Sequence, residues 1–425
     1  MAKFRAAAPE PARVKDGGFI PFPQLQDALV KAADGGEMGA CDAVEIIIRQ
    51  ASHHGASDVH LEPWEDCLSL KYRIDGILHE AARLPKLHQA KVIARIKILA
   101  KMVVYQKDIP QDGRIDSDAA AGGQEMRVST FPTVYGEKIV MRVLGVESAL
   151  RTLDSLGLRA DVVGALREVV ERPQGTLLLT GPSSSGKTTT IYALLQELVM
   201  VRHPAPHIIT IEDPVEYRLP KIAQTEVNPY VGFTFDTALR SALRQDPEII
   251  MIGEIRDAET ARTGIQAGLT GHNVISTIHS GTATGVFTRL LDMGVEPFLI
   301  ASSISGVLAQ RLVRLNCPYC TGPYKPDPAL LERFNIPEGE GLFSRGKGCE
   351  QCQGIGYKGR TALCEMFTMN DEMGELILQR ARTRSLHDVA VRNHMVTLIE
   401  DGVRRAKEGH TTLEELKRVL PMPGS

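Results

Sequence analysis

The stretch Gly181-Pro182-Ser183-Ser184-Ser185-Gly186-Lys187-Thr188 matches the pattern G-x-x-x-x-G-K-[ST] at every fixed position. Residues 176–180 before it are mostly apolar and predict a buried strand, and residues 189–195 after it predict the start of a helix. A strand, a glycine-bounded loop and a helix N-terminus together present backbone N–H groups and a positive dipole end to phosphate oxygens. The stretch therefore predicts a phosphate-binding loop and a nucleotide-binding protein.

Two side chains of this loop have a specific expected task. Lys187 is expected to reach the β- and γ-phosphates, and the hydroxyl of Thr188 is expected to ligate Mg²⁺. Thr189, the next residue, is included in the predicted nucleotide site. The expected ligands are thus a nucleoside triphosphate, ATP, and Mg²⁺.

Composition limits the class of protein. The 425 residues, 43% apolar and 24% charged, suffice for two or three globular domains. The sequence has no apolar run near the ~20 residues that span a bilayer and no signal-peptide core. With 49 basic and 52 acidic residues the net charge is −3, which argues against a dedicated nucleic-acid binder. We therefore expect a cytoplasmic protein whose seven cysteines are reduced unless they bind metal.

Two kinds of pattern follow each other along the chain. Residues 40–51 have helical apolar spacing, and residues 68–74 alternate as in a half-buried strand that ends at an Asp75-Gly76 hairpin turn. This first part predicts a small α+β domain. From Gly175 onward, apolar strands alternate with helices, which predicts an α/β fold with a parallel sheet covered on both faces. The strands are expected at 176–180, 207–211, 249–252 and 273–278.

These patterns divide the chain into six parts. We expect a disordered leader at 1–37, an α+β domain at 38–145, a linker at 146–158, an ATP-binding α/β domain at 159–310, a cysteine-bearing metal-binding module at 311–365 and a helical C-terminal region at 366–425.

Polar side chains follow three of the predicted parallel strands. Glu212, Glu254 and His279 each come at the carboxyl end of a strand, which is the edge where α/β sheets bind ligands. Carboxylates there can hold Mg²⁺ or orient the attacking water, and an imidazole can hydrogen-bond the γ-phosphate. One such strand end would be only a solvated cap, whereas three beside a phosphate loop predict a hydrolytic site. The strand ends alone do not divide the work between Glu212 and Glu254.

Three further residues have two possible interpretations. His272 precedes the last of these strands and is either a satisfied polar residue or a catalytic one. Arg240 and Arg244 are four residues apart and share one face of a predicted helix. They form either an exposed basic face or a pair of guanidiniums that reach phosphate across a subunit boundary.

Four cysteines form two C-x₂-C pairs, Cys317 with Cys320 and Cys349 with Cys352. Each pair places two thiolates on one tight turn, and two turns can complete a tetrahedral site for Zn²⁺. The 28 residues between the pairs exceed the common spacing of about 15–20 residues. A disulfide is disfavoured in a reducing cytosol, so we expect a closed, structural zinc site. The other cysteines, Cys41, Cys67 and Cys364, are expected to be ordinary buried thiols.

Several motifs in this order resemble one known family, the type II secretion and type IV pilus assembly ATPases. Residues 212–217 (EDPVEY) resemble its aspartate box, 250–257 (IMIGEIRD) its Walker B segment and 268–280 its histidine box. Upstream, residues 56–62 (ASDVHLE) and 72–76 (YRIDG) are also similar, as are 110–114 (PQDGR) and 136–138 (GEK). The resemblance covers residues 40–365.

The resemblance implies a hexameric ATPase with a PAS-like N-terminal domain and a RecA-like motor domain. It implies that Glu212 is the general base, that Glu254 is the carboxylate of the Mg²⁺ site, and that His272 and His279 sense the nucleotide. It also implies cross-subunit phosphate contacts by Arg240, Arg244 and Arg73. The secretion and pilus-extension members carry a tetracysteine module, whereas the retraction members generally lack it.

The function implied is to power assembly of a pilus or pseudopilus through an inner-membrane platform protein. The enzyme would be cytoplasmic, a homo-hexamer, and attached to the membrane peripherally through partners, with no direct nucleic-acid contact. A DNA-uptake or conjugative pilus motor would share every motif. A nucleic-acid translocase with the knuckles as a DNA-binding ribbon is disfavoured by the 5% aromatic content and the near-neutral charge. A non-hydrolysing scaffold is disfavoured by the intact phosphate loop and strand-end carboxylates.

The leader is shorter than the N-terminal extension by which many secretion members dock on a membrane-bound partner. The resemblance therefore leaves open how the motor is recruited and whether its machine is a pilus or a secretion system.

Overall fold

A computed structural model describes residues 18–118, 120, 123–144 and 151–420, and the chain divides into two units, residues 1–145 and 146–425. The predictions for residues 1–17 of the leader and 146–150 of the linker lie outside the described residues. The fold class is confirmed: an α+β unit is followed by an α/β unit.

The first unit is an antiparallel sheet with helices packed on one face. Its strands lie in the order β3-β2-β1-β6-β5-β4. Alternate residues such as Val59, Leu61 and Tyr72 point into one core shared with the helices, as the alternating pattern predicts. Its described helices and strands are α1 (Phe22–Ala33), α2 (Gly39–His53), β1 (Ala56–Pro63), β2 (Cys67–Ile74), β3 (Ile77–Pro85), α3 (Lys86–Leu99), β4 (Gln111–Ile115), β5 (Met126–Thr133) and β6 (Gly136–Val143).

The prediction of a disordered leader is wrong for the part that is described. Residues 22–33 form α1, whose Leu25 and Leu29 are fully buried in the core of the first unit. The prediction relied on the Ala/Pro-rich composition and overlooked the four-residue spacing of Leu25 and Leu29, which places both on one helix face. Pro21 precedes the helix as its N-cap residue, a place where a missing N–H costs nothing.

The second unit is built on a seven-stranded sheet in the order β15-β12-β7-β11-β10-β8-β9. All neighbouring pairs are parallel except β12 with β15. Its described helices and strands are α4 (Ala160–Glu171), β7 (Gly175–Thr180), α5 (Lys187–Val201), β8 (Ile208–Glu212), β9 (Ala223–Glu226), α6 (Phe235–Ala242), β10 (Ile249–Ile255), α7 (Ala258–Ala267), β11 (Asn273–Ile278), α8 (Gly285–Asp292), α9 (Pro297–Ser303), β12 (Ile304–Asn316), β13 (Thr321–Pro323), α10 (Pro328–Arg333), β14 (Ser344–Gly346), β15 (Tyr357–Thr368), α11 (Asp371–Leu378), α12 (Thr383–Arg392), α13 (Leu398–Lys407) and α14 (Leu413–Val419).

Helices cover both faces of this sheet, as the nearly continuous apolar strands predict. In β7, Leu177 and Leu179 pack on the side of α4 and α5, whereas Leu178 faces the core of α7, α8 and α9. The C-terminal helices α11–α14 join that second core through Leu386, Leu398 and other apolar side chains. They are therefore part of the core of the second unit.

Two expected domain borders fall inside strands of this sheet. The border at 310/311 cuts β12, and the border at 365/366 cuts β15, although these strands pair with each other from Gly306 to Asn316. The sequence interpretation assigned them to separate parts because the cysteine pairs lie between them. Both strands belong to the main sheet, and the cysteine-bearing segment is the connection between them.

Candidate functional site

The phosphate loop connects the fully buried strand β7 to the first turn of α5. Two glycines allow its tight path. A Cβ atom on Gly181, whose φ is +150°, would lie 2.4 Å from the main-chain oxygen of Gln310. A Cβ atom on Gly186, whose φ is +88°, would lie 2.8 Å from the side-chain nitrogen of the same Gln310. Only glycine fits at both positions without displacing β12.

The side chains of this loop fit a bound phosphate chain. The Nζ atom of Lys187 lies 2.8 Å from the oxygen of Gly181 and 3.0 Å from that of Pro182, so its charge is held against the loop. The hydroxyl of Ser185 is buried and has no hydrogen-bond partner among the described residues. Burial lowers the pKa of Lys187, an effect that Glu254 opposes and Arg311 reinforces. A phosphate would satisfy both groups, since it supplies acceptors and negative charge.

Glu254 and His279 lie together at the carboxyl edge of the sheet. The Nε2 atom of His279 is 3.6 Å from Glu254 Oε2, and Arg256 donates a hydrogen bond to Glu254 and another of 3.2 Å to Asp213. The bond from Arg256 holds the pKa of Glu254 below its usual range against the effect of burial, helped by the charges of His279 and Lys187. Glu254 is thus an ionised carboxylate, a suitable partner for a hydrated Mg²⁺.

Glu212 lies at the end of β8 in a different environment. It is 3% exposed and accepts hydrogen bonds from the hydroxyls of Tyr192 and Thr210 and from the Gln224 amide. Burial raises its pKa, although these three donors act in the opposite direction, and the charge of Glu216 raises it further. A raised pKa makes a carboxylate a stronger base, which suits Glu212 to accept a proton.

The structure does not bring His272, Arg240 and Arg244 to this edge. His272 lies directly before β11, at the edge where the parallel strands begin, and its Nδ1 is 3.2 Å from the oxygen of Ala267. Arg240, 58% exposed, pairs with Asp236 at 2.8 Å, and Arg244 donates to the Arg240 oxygen at 2.8 Å. Their functional assignments stay predictions.

Five residues of the site were not singled out by sequence reasoning: Tyr192, Gln224, Arg256, Gln310 and Arg311. Tyr192 and Gln224 bind Glu212 from other elements, which no local pattern reveals, whereas Arg256 binds Glu254 from two residues further along the chain. Gln310 and Arg311 had a signal, because they are adjacent polar residues inside the apolar strand β12 and are 2% and 6% exposed.

The four cysteines of the predicted metal site converge. Their ligand atoms lie within 4.8 Å of one another, with Sγ–Sγ distances of 3.9 Å for Cys317 and Cys349, 3.8 Å for Cys320 and Cys352, and 3.7 Å for Cys349 and Cys352. A tetrahedral S₄ site with Zn–S bonds of about 2.3 Å has S–S edges of about 3.8 Å. The geometry is therefore compatible with zinc. Outside the cluster, Cys364 is buried as expected, whereas Cys41 and Cys67 are partly exposed.

Main-chain N–H groups also favour thiolates at this site. Gly348 donates to Cys320 Sγ at 3.3 Å, and Cys349 and Gly356 donate to Cys352 Sγ at 3.2 Å each. Burial opposes ionisation of Cys352, but these two donors and the thiols of Cys349 and Cys320 outweigh it and lower its pKa to about 7. In contrast, burial raises the pKa of Cys317 and of Cys320. The donor set is that of a structural metal site.

In the described residues, no helix is both long and apolar enough to cross a membrane.

Comparison with known proteins decides the family. The sequence model described as Type II/IV secretion system protein matches residues 38–418. The chain is 42% identical over 399 residues to the type II secretion system ATPase E of Vibrio cholerae, which covers 94% of this chain and 78% of that protein. This chain belongs to the type II/IV secretion system protein family. The resemblance inferred from the motifs is confirmed, and so is the enzyme class, an ATPase.

The chain also resembles two proteins of pilus systems. It is 43% identical over 396 residues to the type IV pilus assembly ATPase PilB of Thermus thermophilus, and the match covers 92% of this chain but 44% of that protein. Among solved structures, the pilus retraction motor PilT with bound ADP aligns with a TM-score of 0.59 and 26% identity, covering 89% of this chain and 97% of that chain. The fold is therefore shared with a pilus retraction motor.

The cysteine cluster predicts about one tightly bound zinc ion per chain. Replacing Cys317 with Ser should abolish stoichiometric zinc and loosen the two cysteine turns, because a bound metal would tie these turns to each other. Elemental analysis and limited proteolysis of the purified protein would measure both effects. Cys41→Ser, outside the cluster, is the matched control and should change neither. Purified protein without zinc, or a Cys317→Ser protein as protease-resistant as the wild type, would contradict the assignment.

Proposed function

We propose that this chain is the motor of a type II secretion or type IV pilus assembly system. It would act as a homo-hexamer that hydrolyses ATP and adds pilin-like subunits to a fibre through an inner-membrane platform protein. The observation that carries the proposal is the grouping of Lys187, Glu254 and His279 around the phosphate loop. The names of the curated relatives, a secretion ATPase and a pilus assembly ATPase, support the choice of machine.

Within the site we assign each carboxylate one role. Glu254 is the Mg²⁺-site carboxylate, because its pKa is held low and it faces the charge of Lys187. Glu212 is the general base, because its buried carboxylate has a raised pKa. An ionised carboxylate has about four acceptor positions, and three donors occupy Glu212. One position is left for the attacking water.

The remaining assignments concern neighbouring subunits and partners. Arg240, Arg244 and Arg73 would contact phosphate across a subunit boundary, and His272 and His279 would sense the nucleotide. Zinc at the four cysteines would be structural. By family resemblance, the enzyme would be cytoplasmic and attached to the inner membrane through its partners, without direct nucleic-acid binding.

Substitutions of the two carboxylates test the hydrolytic site. Glu212→Gln should lower the turnover number about 10²- to 10⁴-fold, the usual contribution of a general base, with ATP binding retained. Glu254→Gln should also lower turnover, and Lys187→Ala should lose ATP binding. Phosphate release and binding of a fluorescent ATP analogue measure these effects. The exposed Glu332 of α10 supplies the control, since Glu332→Gln should stay within about twofold. Full turnover in both glutamate variants would overturn the assignment.

The pH dependence of turnover tests Glu212 as the base. Turnover should fall as the pH drops through the raised pKa of Glu212, because the base is then protonated. Tyr192→Phe removes a donor that stabilises the carboxylate, so this pKa should rise further. A lost bond to a charged group of about 1.5 kcal/mol would move the acid limb up by about one pH unit. Tyr357→Phe, whose hydroxyl bonds Thr412 far along the chain, should leave the limb in place. If the acid limb of the pH profile stays in place or moves to lower pH in Tyr192→Phe, Glu212 is not the general base.

Mixed rings test whether the arginines act in trans. Arg240→Ala/Arg244→Ala and Lys187→Ala chains should each be inactive alone. Co-expressed and purified through two tags, they should regain roughly a quarter of wild-type turnover, because a head-to-tail interface can combine an intact loop with intact arginines. Mixing Lys187→Ala with Glu212→Gln is the control and should regain nothing, since both changes affect the same side of the interface. A mixture as inactive as this control would contradict cross-subunit contacts.

A further inference from the structure

Arg311 is a buried cation that has no role in the function proposed above. It is 6% exposed on β12, and its guanidinium donates to two main-chain oxygens, that of Gln310 at 3.0 Å and that of Gly281 at 2.8 Å. Across the described ranges of the chain, no carboxylate forms an ion pair with it. Burying an unpaired guanidinium is costly, so these two bonds have to offset a large desolvation penalty.

The second of these bonds fixes the loop that carries His279. This loop, residues 279–283, follows β11. A buried carboxylate, Glu365 at 2% exposure, accepts a hydrogen bond of 2.8 Å from the N–H of Ala283 at its other end. Glu365 acts electrostatically on Arg311 without touching it. The main chain of the loop therefore lies between two buried opposite charges and is bonded to both.

The phosphate loop is tied to the same structure. Thr180, the last residue before it, exchanges two hydrogen bonds with Ser280, of 3.1 and 2.8 Å. On the other side, Gln310 accepts a bond of 2.9 Å from Thr190 in the helix after the phosphate loop. Gln310 and Arg311, which are adjacent on β12, are thus hydrogen-bonded to the helix after the phosphate loop and to the His279 loop, respectively.

We propose that Arg311 is a positioning residue for ATP hydrolysis, which holds the 279–283 loop against the phosphate loop so that His279 stays beside Glu254. The inference rests on the proposed function. This anchoring depends on the planar, forked shape of the guanidinium, because one guanidinium reaches two carbonyls with separate N–H groups. A lysine would keep the charge but present a single ammonium group.

The same contacts would also be made by a residue that only stabilises the fold. The two roles differ in how they affect His279. A positioning residue acts through His279, so its loss should cost little once His279 has been removed. A stabilising residue should lower activity equally in either background.

The test uses full-length protein and four variants: Arg311→Gln, Arg311→Lys, His279→Ala and Arg311→Gln/His279→Ala. Arg314→Gln is the matched control, because Arg314 lies on the same strand and pairs with the buried Glu415 at 2.7 Å, away from both loops. Phosphate release gives kcat and KM for ATP. Amide hydrogen exchange of residues 279–284, without nucleotide, reports the anchoring independently of turnover.

We expect Arg311→Gln to lower kcat about 10- to 100-fold with KM nearly unchanged, the usual effect of misplaced catalytic groups. Arg311→Lys should recover part of this loss. In the His279→Ala background, the further loss should be less than about threefold. Exchange at 279–284 should accelerate in Arg311→Gln but not in Arg314→Gln.

Three results would overturn the inference while leaving the proposed function intact: a wild-type kcat in Arg311→Gln, a full multiplicative loss in the double variant, or an equal loss in Arg314→Gln. If the wild-type protein itself does not hydrolyse ATP, the proposed function fails. In that case hydrogen exchange alone tests whether Arg311 anchors the 279–283 loop. Unchanged exchange at 279–284 in Arg311→Gln would then overturn the inference.

Discussion

The parallel pairing of β7 with both β11 and β12 is the constraint on which the site depends. In this register Thr180 is the partner of Ile278 on one side and of Ala309 on the other. The residues that follow therefore emerge side by side at one edge, which brings the phosphate loop, the His279 loop and the Gln310-Arg311 pair together. The strands pass so closely that a side chain on Gly181 would collide with β12. A one-residue slip of β12 would exchange its faces and separate all three.

The two strand-end carboxylates have opposite electrostatic surroundings. Glu254 accepts a hydrogen bond from Arg256, which holds its pKa low against burial, with a further contribution from Lys187. Glu212 is enclosed by neutral donors and apolar groups, and its pKa is raised. Two carboxylates whose pKa values are shifted in opposite directions are suited to different steps, one to hold a cation and the other to move a proton. This difference supplies the physical ground for dividing their roles, which strand position alone left undivided.

The parts of the structure that sequence could predict are those encoded locally. The phosphate loop, the four strands β7, β8, β10 and β11 of the motor sheet and both C-x₂-C turns are short patterns with few alternatives, and β11 was placed at its observed bounds, 273–278. Contacts between distant elements were not predictable in this way. Tyr192 binds Glu212 from 20 residues away, and Thr190 reaches Gln310 across 120. Helix α1 was missed because composition was weighed above the spacing of Leu25 and Leu29.

The zinc-compatible cysteines are joined to the nucleotide site by a single strand. β12 runs from Gln310 and Arg311 at the phosphate loop to Asn316, and Cys317 follows directly. A strand rises about 3.3 Å per residue, so the seven steps from Gln310 to Cys317 span about 23 Å. β12 is hydrogen-bonded to β15 along this path, and the chain returns from Cys352 through β15. The same strand that contacts the phosphate loop therefore leads directly into the first cysteine pair, and its partner strand β15 follows the second pair. The cluster is thereby attached at both ends to neighbouring strands of the motor sheet, although sequence spacing alone makes it look like a separate domain.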